Sequence, residues 1–248
     1  MSYNAKVYRE QGGSRMVVAA GGEIDSKAVV QYSTDFLGDA LEDELLAGVG
    51  SGTGNAVAIV ANVGGTAEIK TASDDGAITA NGSSLGLGGL NWKANQGGLF
   101  LETRLQIDAI TDVMLFVGFT DALPSTIEAP IFLVTTAIDS DATDACGIAF
   151  DTDGTTDQWF HGGVKNNTDT TPDYHGSAPA AATWYTLRVE VNSAGGVQGF
   201  IDGVAIGPVV VNAVTATVAL CPIIFVANRG AAARNVLVDY IKVQGDRA

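Results

Sequence analysis

Apolar and polar side chains alternate with a period of two through much of the chain beyond residue 55. In Trp184–Val191, Trp184, Thr186, Arg188 and Glu190 interleave with Tyr185, Leu187, Val189 and Val191, which predicts a strand with one buried and one wet face. Ser193-Ala194-Gly195-Gly196 then supplies a turn, Val197–Ile201 a second strand, and Asp202-Gly203 a two-residue hairpin signal. The same reading predicts strands at Ala56–Val63, Thr66–Thr71, Leu99–Ile107, Val113–Phe119, Gly147–Asp151, Gln158–Lys165, Ile223–Ala227 and Asn235–Val243. Gly64-Gly65, Asp74-Asp75-Gly76, Asn81-Gly82, Gly97-Gly98, Asp153-Gly154 and Asn166-Asn167 separate them as turns. Ten such strands suit two packed sheets, and no internal repeat or second core is visible.

The first 32 residues break this pattern. Gly12-Gly13 and Gly21-Gly22 punctuate them, and the apolar run Met16-Val17-Val18-Ala19-Ala20 has too few companions for a core, so the segment needs a partner surface. The expected organisation is an extended arm over 1–32 and a single domain over 33–248. The length of 248 residues, 46% hydrophobic content and 31 glycines agree with one large all-β domain of short strands and tight turns. Cys146 and Cys221 lie in apolar strands without ligand spacing and read as buried free thiols. No apolar stretch is long enough to cross a membrane as a helix and Met1-Ser2-Tyr3-Asn4 opens no signal peptide, so a soluble, unexported protein is expected.

The net charge of −15 sets nucleic-acid binding aside, because phosphate contacts need clusters of Lys and Arg. That charge is unevenly spread. Residues 1–32 carry four cationic side chains against three anionic ones, whereas Leu105–Val164 holds ten carboxylates and no Lys or Arg. Such a one-signed face is expected to point outward into solvent.

The pair Trp184–Val191 and Val197–Gly203 resembles the "W-x-x-L-R-V-x-V … F-x-I-D-G" strands of concanavalin A-like jelly rolls, laminin-G-like modules included. The resemblance implies a two-sheet jelly-roll sandwich whose last strand, Asn235–Val243, pairs with the opening one. It also bears on Ser33–Leu46. Locally that segment reads as a short helix with Thr34 or Asp35 as N-cap and Leu37, Leu41 and Leu45 on one face. By resemblance, Asp35-Phe36-x-Gly38-x-x-Leu41 opens the sandwich with Phe36 plugging it and one helical turn. Gly38, which weakens a helix interior by about 1 kcal/mol, favours the second reading.

Candidate chemistry is sparse. Glycosidases on this fold carry a Glu-x-Asp-x-x-Glu strand that this chain lacks, and its two histidines fall in no nucleophile motif, so no enzyme is expected. Asp151, Asp153 and Asp157 offer hard oxygen ligands around one turn, a candidate Ca²⁺ site set against a plain solvated hairpin; no other cofactor is implied. Trp159, His161, Tyr174 and His175, with the polar loop Asn166–Thr171 between them, are a candidate sugar-binding platform, Trp159 reading equally as core. Trp92 and Trp184 read as core or sheet-edge packing.

The densest resemblance lies in the arm. Tyr3, Asn4, Lys6, Tyr8, Arg9, Gln11, Gly12 and Gly13, followed by Arg15, Val17, Val18 and Gly21-Gly22, are similar to the "Y-N-x-K-x-Y-x-E-Q-G-G … V-x-G-G" segment of tailed-bacteriophage head-fibre and capsid-decoration proteins. Ala19-Ala20 stands where shorter members pass directly to the glycines. The resemblance implies a structural virion protein, assembled in the host cytoplasm and held on the outer capsid surface. Its partners would be the major capsid protein and neighbouring copies, in a homo-oligomer such as a trimer or dimer. The alternative is a lectin-like module that binds a host-surface glycan from the same particle.

Overall fold

The computed structural model describes residues 29–62, 64–74 and 76–247, and the backbone of two short strands before them. Val63 and Asp75, which the sequence places in a strand and a turn, lie outside the described residues. Among the described residues the strands run, in chain order, β1 (Val7–Arg9), β2 (Met16–Val18), β3 (Val29–Thr34), β4 (Leu45–Val49), β5 (Ala56–Val60), β6 (Thr66–Lys70) and β7 (Gly82–Leu87). They continue as β8 (Leu99–Ile107), β9 (Val113–Thr120), β10 (Phe132–Val134), β11 (Ala137–Asp139), β12 (Ala145–Asp151), β13 (Phe160–Lys165), β14 (Thr168–Asp169) and β15 (Asp173–Tyr174). β16 (Trp184–Val191), β17 (Val197–Ile201), β18 (Val204–Ala205), β19 (Cys221–Asn228) and β20 (Asn235–Asp246) complete them.

Two eight-stranded antiparallel sheets form the sandwich. One has the order β14-β13-β12-β9-β19-β7-β4, with β15 also on β13; the other runs β18-β17-β16-β8-β20-β6-β5, with β3 also on β20. The expected two-sheet jelly roll is the architecture found. Between the sheets lies a core that includes Leu85, Leu115, Val117, Phe119, Ile148 and Phe150 from the first sheet and Leu101, Leu105, Leu187, Val189, Val238 and Val243 from the second.

The two sheets differ on their outer faces, and the sequence pattern shows why. β8, β16 and β20 alternate because their outward residues are half-exposed, so the second sheet is open to solvent. Every residue of β9, β12 and β19 is buried, which explains the near-continuous apolar runs VMLFVGFT, ACGIAFD and CPIIFVAN. The outer face of this sheet is covered by a strap, residues 121–142, whose Ala129, Ile131, Leu133 and Ile138 pack on Met114, Phe116, Phe160, Ile223 and Phe225. Burying each large side chain in this way contributes on the order of 1.5–3 kcal/mol. Glycine makes room beneath the strap: a Cβ at Gly147 would fall 2.3 Å from the Val117 carbonyl oxygen and 2.7 Å from the Phe116 ring.

β20 is the spine of the open sheet. It pairs with β8 along one side, and with β6 and then β3 along the other, so the closing strand does meet the opening one. The register shift between Val238 and Tyr240 is a bulge that sets Asp239 beside Arg104, their side chains 2.9 Å apart. The β17–β18 connection is the expected tight hairpin, with Asp202 (φ 49°) and Gly203 (φ 79°) both in the left-handed region that such a turn requires.

The opening segment follows the plug reading without its helical turn. Phe36 is 3% exposed and sits in the core at φ 52°, held where its amide donates to Thr34 Oγ1; bends and a turn follow until β4. Thr34 therefore serves the plug, and Leu45 enters a strand. β3 straddles the boundary expected near residue 33. Both cysteines are free and buried, and burial pushes the Cys221 thiol up to about 12. No helix is long and apolar enough to cross a membrane among the described residues.

Candidate functional site

The four aromatic and imidazole side chains expected to form one platform are not brought together. Trp159 is 1% exposed and lies in the inter-sheet core, its ring 5.8 Å from those of Phe150 and Tyr185. Phe160, the next residue, faces the strap, where it meets Tyr174 at 5.9 Å, so Trp159 and Tyr174 lie on opposite sides of the sheet. The imidazole of His175 is paired locally with Ser177 Oγ at 2.7 Å. Adjacent strand residues face opposite ways, which is the physical reason a cluster in sequence fails to become a cluster in space.

His161 is the most informative of the four. Its side chain is wholly buried and bridges the two sheets: Nδ1 accepts the Gly199 amide at 2.9 Å, and Nε2 faces Asp173 Oδ2 at 3.4 Å. Accepting at Nδ1 places the proton on Nε2 in the neutral ring. Burial lowers its pKa from the ordinary histidine value, and Asp173 and the Pro208 backbone oppose that shift. Gly199 is required opposite it, because a Cβ there would lie 2.8 Å from Ile148 Cγ1 and 3.2 Å from the imidazole nitrogen. His161 is a rivet between sheets, not a sugar ligand.

The candidate Ca²⁺ turn is also corrected. Asp151 is 0% exposed, and its carboxylate accepts from Arg229 Nε at 2.8 Å, from Arg229 Nη2, and from the Leu133 and Asp153 amides at 2.7 and 3.1 Å. Burial pushes the Asp151 carboxyl up, and the Arg229 guanidinium with the two amides pulls it back. Asp153 and Asp157 are exposed on the turn beyond it. Among the described residues no group of three His, Cys, Asp or Glu is placed to hold a metal. Through Leu133, the Asp151–Arg229 pair pins the strap to the sheet, and Arg229 lies 5.5 Å over the Phe132 ring.

The acidic stretch 105–164 is not wholly outward either. Asp144 is buried, with one carboxylate oxygen accepting the Thr215 amide at 2.6 Å. Burial, with the neighbouring Asp144 carboxylate adding to it, raises Asp121 above the usual carboxylate range. Burial likewise raises Glu128, helped by Asp121 and Asp141.

What the structure does assemble is the open face of the second sheet. Outward residues of β8, β16 and β20 bring cations over aromatic rings: Arg188 lies 3.8 Å and Lys242 5.5 Å from the Phe100 centroid, and Arg104 lies 4.9 Å from the Trp184 centroid. Arg188 is oriented by Glu190 at 2.7 Å and Glu102 at 3.2 Å, and Tyr240 donates to Glu102 at 3.1 Å. Burial and that carboxylate push the Tyr240 hydroxyl up to about 12. At one end of this face Phe100, Arg188, Glu190, Asn192, Gln198 and Gln244 line a groove of about 490 Å³. Trp184 belongs to this surface, while Trp92 is core. The period-two alternation that identifies the strands also names these outward residues; the pairing between strands, which alternation does not specify, makes them neighbours.

Of the arm residues, Tyr8, Arg9, Val17 and Val18 occupy β1 and β2, which pair with each other as a separate two-stranded sheet, Tyr8 opposite Val17. Tyr3, Asn4, Lys6, Gln11, Gly12, Gly13 and Arg15 lie outside the described residues.

No protein-family model matches the chain, and no curated protein matches it in sequence. Its likeness is to solved structures. A β-glucanase of Bacillus licheniformis is 12% identical, with a TM-score of 0.57 over 88% of this chain and 98% of that one. An endo-acting O-glycanase of the human gut microbiota is 10% identical, at 0.58 over 88% and 99%. The carbohydrate recognition domain of Emp47p is 9% identical, at 0.55 over 91% and 100%. At these identities the likeness is one of fold: this chain shares the concanavalin A-like sandwich on which those carbohydrate-active and carbohydrate-recognising proteins are built.

Proposed function

We propose that the protein is a non-catalytic structural component of a phage particle, fastened to the outer capsid surface by its arm and displaying the sandwich outward. The observation that carries this reading is the way the arm enters the fold. The chain before Val29 runs into β3, which pairs through Val29–Thr34 with Asp246–Ile241 of β20, while β1 and β2 form a sheet of their own. A domain attached in this manner keeps both cores closed whatever the arm binds. The head-fibre-like sequence of the arm supplies the kind of partner, a capsid shell. Asp151 is committed to Arg229 and Asp144 to the Thr215 amide, roles within the fold that support a scaffold.

The test is a chain that starts at Val29, which retains every sandwich strand. It should unfold at the same temperature as the whole protein and fail to co-sediment with purified capsids. Full capsid binding by the shortened chain would refute the anchoring role.

A second reading has its own observation, the groove of about 490 Å³ on the open face. Its amides, its Arg188–Glu190 pair and the Phe100 ring are the mixture of polar and flat apolar surface that sugars use. The carbohydrate-recognising neighbours of the same fold support it. Binding on a glycan array that is lost in Gln244→Ala and Glu190→Ala, with unfolding temperature unchanged, is the expected result. An array silent for the whole protein would end this reading.

A further inference from the structure

The two sheets of the sandwich end in four strands, β14 and β4 in one and β18 and β5 in the other, and three of these ends are guarded. β18 is two residues long and is followed by Gly207-Pro208; β14 is equally short and exposes Asp169. β4 lies against the 3₁₀ turn at Pro124–Thr126, where the Pro124 carbonyl fills the place a Cβ on Gly48 would take. Along β3, on the same side of β20 as β6, Glu42 accepts from the hydroxyls of Tyr32 at 2.8 Å and Thr34 at 2.5 Å. Short length, proline, charge and covering loops are the features that keep sheet edges from pairing with another chain. β5 has none of these guards on its strand. It runs for five residues, AVAIV, within a stretch, residues 45–67, that carries no charged side chain.

The ladder shows which backbone groups of β5 are left over. Just past β6, the Thr71 amide donates at 2.9 Å to the Arg234 carbonyl, on the β20 side. Successive strand residues turn their N–H and C=O to opposite sides, so Thr66, Glu68 and Lys70 direct theirs to Val60, Ala58 and Ala56 of β5. Val57 and Ile59 therefore direct N–H and C=O away from β6, to an edge where no described residue meets them. Their side chains pack against the inter-sheet core, which leaves Ala56 and Ala58 exposed on the open face.

Two such edges complete each other. Antiparallel pairing of Val57 with the partner's Ile59, and of Ile59 with the partner's Val57, forms four N–H···O=C bonds and sets Ala58 opposite the partner's Ala58 on a two-fold axis. In this register Val60 opposes the partner's Ala56, so every facing pair is small or aliphatic. Leu37, 77% exposed, stands beside Ile59 and Val60, so an arriving strand meets aliphatic surface as well as backbone. Charge selects the occupant. A charged strand would find no opposite charge on β5, whereas a second copy matches it in length and polarity; in a protein of net charge −15, a strand without charge is where copies repel least.

We infer that β5 is the interface of a symmetric dimer in which the open sheets of two copies join edge to edge. The inference goes beyond the capsid reading, since neither the arm nor a shell enters it. Four backbone bonds and a narrow aliphatic strip make a small interface, of the transient kind.

Sedimentation equilibrium of the full-length chain tests this, and wild type should dimerise with a Kd below about 1 mM. Ala58 is exposed, so replacing it leaves the core untouched. Ala58→Glu sets two carboxylates face to face at the axis, next to Glu68 on each β6, and should weaken association about fivefold or more. Mixing Ala58→Glu with Ala58→Lys should restore a one-to-one pair, because position 58 faces itself. Single cysteines read the register, the native Cys146 and Cys221 being buried. Ala58→Cys should give a disulfide-linked dimer on mild oxidation, since facing residues of a non-hydrogen-bonded pair have Cα atoms about 4.5 Å apart. Ala56→Cys should not, its two copies lying four residues, about 14 Å, apart along the strands. A wild-type chain that stays monomeric at about 1 mM, an Ala58→Glu chain that dimerises like wild type, or Ala56→Cys that cross-links as readily as Ala58→Cys would each overturn the inference. An edge that takes an arm in place of a second β5 would leave the Ala58→Glu and Ala58→Lys mixture unpaired and Ala58→Cys unlinked, which overturns it equally.

Discussion

Replacing Arg229 with Met removes the cation from a buried ion pair and leaves the carboxylate behind. In the native protein the Asp151 side chain has no exposure and that of Arg229 only 13%. The variant keeps the Leu133 and Asp153 amides on the carboxylate and loses both guanidinium contacts. Breaking a buried pair from one side costs about 3–5 kcal/mol. For a chain of this size each kcal/mol lowers the unfolding temperature by about 2–4 °C, so a fall of about 6–20 °C is expected. The cost has a pH signature. Without Arg229 the Asp151 pKa in the folded state rises further above its unfolded value, so the folded form binds the extra proton. The variant's deficit should therefore grow as pH rises through the carboxylate range and shrink in acid. Because Leu133 and the Arg229 contact to its carbonyl hold the strap, a dye that reports apolar surface should bind the variant before global unfolding, at the exposed Phe116, Phe160 and Phe225 face. Thermal and urea unfolding with such a dye provides the assay. The double variant Asp151→Asn with Arg229→Met should recover at least about 1 kcal/mol relative to the single one, the coupling expected of contacting groups. A single variant within about 0.5 kcal/mol of wild type, the range of an ordinary surface change, or a double variant that is merely additive, refutes the lock.

His161 should make the fold acid-sensitive. Its folded pKa is depressed, so its contribution is complete above the unfolded value near 6.5 and is lost as pH falls below it; His161→Asn, titrated in parallel by urea unfolding, should flatten the stability curve below pH 6.5. Trp159→Ala should cost about 3–5 kcal/mol in thermal unfolding as a core truncation, and a variant as stable as wild type would contradict the packing described. Millimolar Ca²⁺ should leave the unfolding temperature unchanged, since Asp151 is committed to Arg229; a rise that follows the Ca²⁺ concentration would reinstate a site at the 151–157 turn.

The sandwich was legible because its strands alternate or turn apolar throughout. All ten expected strands correspond to observed ones, though several boundaries move by one to three residues. β7 was hidden because Asn81-Gly82 reads as a turn; here Gly82 begins a strand and packs 2.5 Å, by its would-be Cβ, from the Phe225 ring. β4 was hidden because Leu41 and Leu45 also fit a helical spacing, and tertiary pairing of Leu45–Val49 with β7 settles the conflict. The strap was illegible for a different reason. Its residues 121–142 carry Pro124, Pro130 and four carboxylates, which read as a solvated loop, and nothing local reveals that Phe116, Phe160 and Phe225 await cover on the far side of the sheet. The site residues failed likewise through long-range effects. Arg229 lies 78 positions from Asp151 and Gly199 lies 38 from His161, distances over which a pattern read along the chain carries no information about contact.

The covered sheet constrains where this protein can bind anything. Its middle strands present Ala145, Gly147 and Ala149 outward under the strap, so a ligand on that face would have to displace Ile131, Leu133 and Ile138 and break the Asp151–Arg229 lock. Losing that packing and the ion pair together would cost more than a shallow polar contact returns. Binding is therefore directed to surfaces that need no such opening: the cation–aromatic face of β8, β16 and β20, and the edge of β5 that is unpaired among the described residues. The two are not equivalent. On the open face Arg188 and Arg104 are already matched by Glu102, Glu190 and Asp239, so a partner there gains little from charge and must compete with formed pairs. At β5 the backbone edge away from β6 is unpaired among the described residues, with Asp39 and the exposed Leu37 beside it. A strand docking there gains backbone pairing without breaking a formed contact. For an acidic protein whose copies repel one another over most of their surface, that edge is where attraction can begin.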